Sequence, residues 1–159
     1  MRTWRGMNVT TERKRYGIVK RISVAMISYQ GEKYIEEQLD SILAILGPKD
    51  EVIISDDGST DRTREILVRY ESQDERVRMI NGPKAGVKKN VENALRACEG
   101  EYIFLADQDD IWMPEKVECV LEAFKRDRVG LVIHDATVTD GSCQKVILES
   151  FYSLKGSGA

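Results

Sequence analysis

Short apolar runs alternate along this chain with stretches in which apolar residues recur every three or four positions. Ile22–Ile27 and Val52–Ile54 have the length of buried strands, Val77–Ile80 is a weaker one, Tyr102–Leu105 a fourth and Val129–Ile133 a fifth. Between them, Ile35, Leu39, Ile42, Leu43 and Leu46 fall on one helical face that Gly47-Pro48 closes. Ser59, Thr60 and Asp61 offer N-caps to a helix carrying Ile66, Leu67 and Tyr70. Val87, Val91, Ala94, Leu95 and Cys98 mark a third helix that stops at Gly100, and Pro114 suits the first position of a fourth bearing Val117, Val120, Leu121 and Phe124. Thr137–Ile147 reads as a hairpin turning at Asp140-Gly141. Strands separated by helices predict an α/β fold with a mostly parallel sheet wound by right-handed crossovers. Ligands of such sheets bind beyond the carboxyl ends of the strands, at the point where the strand order reverses.

Length and composition add boundaries to this picture. With 159 residues, 42% of them hydrophobic and a net charge of −3, the chain has room for one domain with a proper core. No apolar run approaches the ~18 residues of a membrane span, and the start lacks the apolar stretch of a secretory signal. Residues 1–21 hold seven Lys or Arg against Glu12 alone, about +6, which leaves about −9 for the remainder. We therefore expect a basic, flexible leader over residues 1–20, a folded domain over 21–148 and a flexible tail over 149–159. The acidic body argues against a nucleic-acid partner. It suits recruitment of a divalent cation and, through it, a phosphate. Three scattered cysteines (Cys98, Cys119, Cys143) read as reduced thiols of a cytoplasmic protein.

The polar residues that follow the strands carry the candidate chemistry. Ser28-Tyr29-Gln30 follows the first, Asp56-Asp57-Gly58-Ser59-Thr60-Asp61 the second, and Asp107-Gln108-Asp109-Asp110 the fourth. In a parallel sheet all three sets open onto one edge, where so many carboxylates repel one another unless a cation compensates. Oxygen ligands from Asp109 and Asp107 would suit Mg²⁺ or Mn²⁺, with pyrophosphate oxygens completing the shell. Taken singly, the cluster at 56–61 fits a turn with a helix cap equally well, and Asp107–Asp110 fits a capping loop before Pro114. Two such clusters after alternate strands favour binding. Trp112 reads as a core anchor, and Tyr29 as either a stacking surface for a base or a packed loop aromatic. His134 reads as a satisfied polar residue. A G-x-G-x-x-G fingerprint after the first strand and a P-loop are both absent.

In order along the chain stand ISVAMISYQGEKYIEEQLDSIL, EVIISDDGSTDRT, GVKKNVENALRACEGEYIFLADQDDIW and MPEKVE. Together they resemble the amino-terminal, nucleotide-sugar-binding half of family 2 glycosyltransferases of the GT-A fold, over roughly residues 21 to 140. The resemblance implies a Rossmann-like, mostly parallel sheet flanked by helices. It also implies divalent-metal-dependent transfer of a sugar from a UDP-, dTDP- or GDP-linked donor to a saccharide or lipid-linked acceptor, mostly with inversion. By the same resemblance Ser28 and Tyr29 lie against the base, while Asp57, with Asp56 behind it, binds base or ribose. Lys88 and Asn90 lie in the segment near the nucleotide, Asp107 contacts ribose or sugar, and Asp109 holds the metal. The wording around Asp107 is similar to that of rhamnosyltransferases.

The family's catalytic base and acceptor surface come from a segment that this sequence does not match, so a chain truncated at its carboxyl end is expected and no base is assigned. The alternative is a non-catalytic module that binds a nucleotide or a partner protein. Peripheral contact with the inner face of a membrane and self-association through a free sheet edge both stay open.

Overall fold

A computed structural model describes residues 22–143 and 145–152; the basic leader and the end of the tail lie outside them. The chain divides into two compact units after Pro114, where the length alone suggests one. In the first unit β1 (Ile22–Ser28), β2 (Glu51–Asp56), β3 (Val77–Asn81) and β4 (Tyr102–Ala106) form one sheet in the order β3-β2-β1-β4. Every neighbouring pair in it is parallel. Helices α1 (Ile35–Leu43), α2 (Thr63–Gln73) and α3 (Val87–Ala97) connect the strands in turn. The expected α/β architecture is thus present.

Alternation along the strands explains how the sheet is covered. Ala25 and Ile53 pack against Ala94 and Cys98 of α3 and its end, with Ile80, Leu95 and Ala97 around them. Val24, Met26, Val52 and Ile54 point to the other face and are buried there, as are Ile35, Leu39 and Ile42 of α1 and Ile66 and Leu67 of α2. Trp112, 4% exposed, packs its ring 5.6 Å from that of Phe104, so it is the core anchor expected. At roughly 25 cal/mol per Å² of apolar surface removed from water, this two-sided burial is what holds so small a sheet together.

Register then sets the level of each strand end. Ser28 pairs with Asp56, and Asp56 with Asn81, so β1, β2 and β3 finish side by side. The β1–β4 ladder ends at Met26 opposite Ala106. The chain runs outward from β1 to β3 and then returns to β1's other side as β4. The reversal point therefore lies between β1 and β4.

The second unit holds α4 (Lys116–Phe124) and a two-stranded antiparallel hairpin of β5 (Val138–Thr139) and β6 (Val146–Leu148). Val117, Val120, Leu121 and Phe124 are half-buried on one side of α4, which begins two residues after Pro114. The Asp140-Gly141 turn forms as expected, with the Asp140 carboxylate accepting from Ser142. Val129–Ile133 does not form the fifth strand: it joins no ladder among the described residues, and Leu131 and Ile133 are exposed. A strand needs a partner edge as well as an apolar sequence, and local pattern reports only the second. Residues 150 and 151, expected to belong to a flexible tail, are tied back to the second unit: Phe151 N–H donates to Ala136 O (2.8 Å) and Ser150 Oγ donates to the Asp135 carboxylate.

Candidate functional site

The reversal point opens as a cleft of about 540 Å³. Ser28 and Tyr29 line it from the end of β1, Asp57 from β2, Val87 and Asn90 from the start of α3, and Asp107 to Asp109 from the loop after β4. Six of the eight sequence-derived site residues thus share one wall. Asp56 and Lys88 do not reach it.

Asp56 stands behind the wall, 1% exposed, and acts as the knot of the β2 end. Its carboxylate accepts from Ser28 Oγ (3.0 Å), Gly58 N (3.3 Å), Ser59 N (3.0 Å), Ser59 Oγ (2.5 Å) and Arg64 Nη1 (2.8 Å). Burial pushes its pKa up, but the hydrogen bonds from Ser59, Arg64 and Ser28 outweigh that and hold it below the ordinary aspartate value. With both oxygens so occupied, Asp56 shapes the site from behind. Asp57 turns toward the cleft, and Lys84 N–H donates to its Oδ1 (2.6 Å).

Asn90 is 2% exposed and faces β2: it accepts from Ser55 Oγ (2.6 Å) and donates to Ser55 O (2.8 Å). Gly82 makes this approach feasible, since a Cβ there would lie 2.6 Å from Asn90 Oδ1 and 2.7 Å from the backbone of Asp56 and Asp57. Val87, expected in the core, instead flanks the cleft with 68% exposure. Tyr29, also lining the cleft, is 59% exposed.

Three acids crowd the loop after β4. Partial burial pushes the Asp107 carboxyl above its ordinary value, and the charges of Asp110 and Asp109 add to the shift. Among the described residues no Lys or Arg forms an ion pair with any of the three. Nor do three acids, histidines or cysteines converge there as a ready-made metal cage. Such a donor set fits a hard cation that takes one or two carboxylates and fills its shell with phosphate and water, as Mg²⁺ and Mn²⁺ do. It does not fit a structural zinc site.

Contacts that the sequence did not reveal hold this loop in place. Gln38, fully buried on the apolar stripe of α1, donates from Nε2 to Asp107 O (3.0 Å). Trp112 N–H donates to Ser41 Oγ (3.0 Å) on the same helix. Gln108, between the two acids, exchanges two hydrogen bonds with the backbone of Tyr29. A polar residue standing among Ile35, Leu39 and Ile42 was the available signal for Gln38. The expected caps of α2 divide their roles: Asp61 accepts from Thr63 N (3.1 Å), whereas Ser59 serves Asp56 and Thr60 bonds Gln30.

Fold and cleft together define an α/β protein with an acidic site at the switch point of a parallel sheet. The model of the family Glycosyl transferase family 2 matches residues 23–154, and the chain belongs to that family. It is 37% identical to a Bacillus subtilis protein named as a teichuronic acid biosynthesis glycosyltransferase, TuaG, over 75% of this chain and 50% of that one. It is also 37% identical to the chondroitin synthase of Escherichia coli, over 67% of this chain and 16% of that one. This chain therefore spans half or less of those relatives. Among solved structures, S. aureus TarS 1-349 in complex with UDP-GlcNAc superposes with a TM-score of 0.60 at 25% identity, covering 75% of this chain and 40% of that one. The mannosyltransferase PcManGT of Pyrobaculum calidifontis, in complex with GDP-Man and Mn²⁺, gives 0.63 at 25% identity, covering 69% and 34%. The GT-A-like fold expected from the motifs is the fold observed.

Proposed function

We propose that this chain supplies the donor site of a divalent-metal-dependent glycosyltransferase that moves a sugar from a nucleoside-diphosphate sugar to a saccharide or lipid-linked acceptor, inverting the anomeric carbon. One observation carries the reading. Three strand-end loops converge on a single cleft, which is lined by Tyr29 after β1, by Asp57 after β2 and by Asp107 and Asp109 after β4, the last two without an ion-pair partner among the described residues. An exposed aromatic together with carboxylates that can hold a cation suits a ligand that combines a base with a diphosphate. Solved relatives that hold UDP-GlcNAc, or GDP-Man with Mn²⁺, support it. So do relatives named for teichuronic acid and chondroitin synthesis, which support a saccharide acceptor.

In this reading Tyr29 stacks on the base and Asp57 accepts hydrogen bonds from base or ribose, held in place by Lys84 N–H. Asp107 contacts ribose or sugar, and Asp109 holds Mg²⁺ or Mn²⁺. The ion's contribution, when bound, is to neutralise charge on a departing diphosphate. Asp56 positions the wall from behind, and Asn90, on the wall, is fixed there by its hydrogen bonds to Ser55.

Calorimetry of UDP, dTDP and GDP, each with and without Mn²⁺, tests the proposal. Metal-enhanced binding of one nucleotide is the expected result. A folded chain that binds none of the three would overturn it and leave the non-catalytic module as the better reading.

A further inference from the structure

The β1–β4 ladder stops at Met26 and Ala106, yet the two segments stay joined three residues beyond Met26 and two beyond Ala106. There the side chain of Gln108 takes the place of a strand. Tyr29 N–H donates to Gln108 Oε1 (2.9 Å), and Gln108 Nε2 donates to Tyr29 O (3.0 Å). A primary amide carries the same donor and acceptor as a peptide group, so it supplies one rung of a ladder without continuing the strand. The backbone between Asp107 and Asp109 is thus free to turn while it stays fastened to the loop that carries Tyr29.

Gly31 is shaped to this contact. It is buried, and a Cβ there would lie 2.3 Å from Oε1 and 2.7 Å from Cδ of Gln108. No other atom comes closer than Gln108's own amide, so the space missing at Gly31 is the space Gln108 occupies. Gly31 N–H is meanwhile tied to Thr63 Oγ1 (2.8 Å), which holds the β1 loop against the start of α2.

We propose that Gln108 is a positioning residue that couples the two ends of the donor site. By fixing the acids on either side of it to the backbone of Tyr29, it makes metal binding at one end favour nucleotide binding at the other. This inference rests on the donor-site reading above. Coupling of this kind is reciprocal: whatever factor Mn²⁺ adds to nucleotide affinity, the nucleotide adds to Mn²⁺ affinity.

The test uses the whole chain and two variants. Gln108→Ala removes the clamp, and Gly31→Ala keeps Gln108 but occupies its space. The first readout is hydrogen exchange at Tyr29 N–H, which is protected in the wild type and should exchange about tenfold faster in both variants. Rapid, unprotected exchange in the wild type would overturn the clamp whatever the ligand. The second readout is the ratio of dissociation constants for UDP, dTDP or GDP without and with Mn²⁺. That ratio should fall about tenfold in each variant, the scale of a coupling resting on two hydrogen bonds. The double variant should be no worse than either single one, since both break the same contact. A merely structural role would lower affinity equally with and without metal and leave the ratio unchanged; that result would overturn the inference while the donor site stands. If the wild type binds none of the three nucleotides, the donor-site reading fails and this inference fails with it.

Discussion

The two edges of the sheet use the same acidic residues to opposite ends. At the amino edge, Glu51 is 1% exposed and accepts from Ser23 Oγ (2.6 Å) and Glu99 N (2.7 Å). Asp50 beside it accepts from Ile22 N (3.1 Å) and Gly47 N (2.7 Å). At the carboxyl edge, Asp107, Asp109 and Asp110 crowd one loop, exposed and without an ion-pair partner among the described residues. A buried acid persists only where hydrogen bonds replace its lost hydration. Exposed like charges side by side have no such structural reason to exist, because they only repel. The amino edge is therefore built to hold the fold, and the carboxyl edge is open to something positive from outside. Asp56 belongs in kind to the first group, although it stands at the second edge.

The largest expected effect attacks the open edge. Asp109→Ala should erase the Mn²⁺ enhancement of nucleotide binding, a factor of about 5 to 150 for couplings of this sort, while the urea midpoint in metal-free buffer does not fall. Calorimetry with and without metal reads the first effect and denaturation the second. Retention of the enhancement would move the metal away from Asp109.

A smaller effect, on the other axis, comes from the closed acids. Glu51→Ala should cost about 2–3 kcal/mol, because it strands a buried hydroxyl and a backbone N–H, and should leave nucleotide affinity alone. Asp56→Asn should cost a similar amount at neutral pH. Its folded pKa lies below that of a free aspartate, so the charged form is the stabilised one. The wild type's advantage over Asp56→Asn is therefore complete above the ordinary carboxylate range and shrinks as pH falls from about 4 through the lowered folded value. Urea unfolding of both proteins at pH 7, 4 and 3 checks the sign. An advantage that grew toward acid would mean that Asp56 is held neutral.

How far the sequence reveals these edges depends on what kind of contact makes them. The four strands of the main sheet were legible because apolar runs bounded by turns are a local property, and the acids after β2 and β4 were legible because parallel order brings them together. The residues themselves do not tell Asp56 from Asp57; the family resemblance puts Asp56 behind, and the reason appears only in space, where the five donors around Asp56 come from Ser28, Gly58, Ser59 and Arg64. Gln108 carries no local signal of its role, because its partner lies 79 positions earlier. Val129–Ile133 misled for the converse reason: its pattern is that of a strand, but pairing is not written in the pattern.

The smallest effect bears most directly on why the open edge exists. If Asp107, Asp109 and Asp110 are kept for a cation, removing one charge should relieve the fold even as it damages the site. Asp107→Asn preserves shape and removes one of three repelling charges, so in metal-free buffer at pH 7 it should raise the melting temperature by about one or two degrees. Salt provides the control. At about 1 M ionic strength the screening length falls to about 3 Å, the repulsion is screened, and the gain should shrink to the part that burial of the charge contributes. Added Mn²⁺ should act in the opposite sense, stabilising the wild type more than the variant, because only the wild type presents both acids to it. A variant less stable than the wild type under metal-free, low-salt conditions would mean that Asp107 carries a hidden structural bond. The contrast between the two edges would then be one of degree.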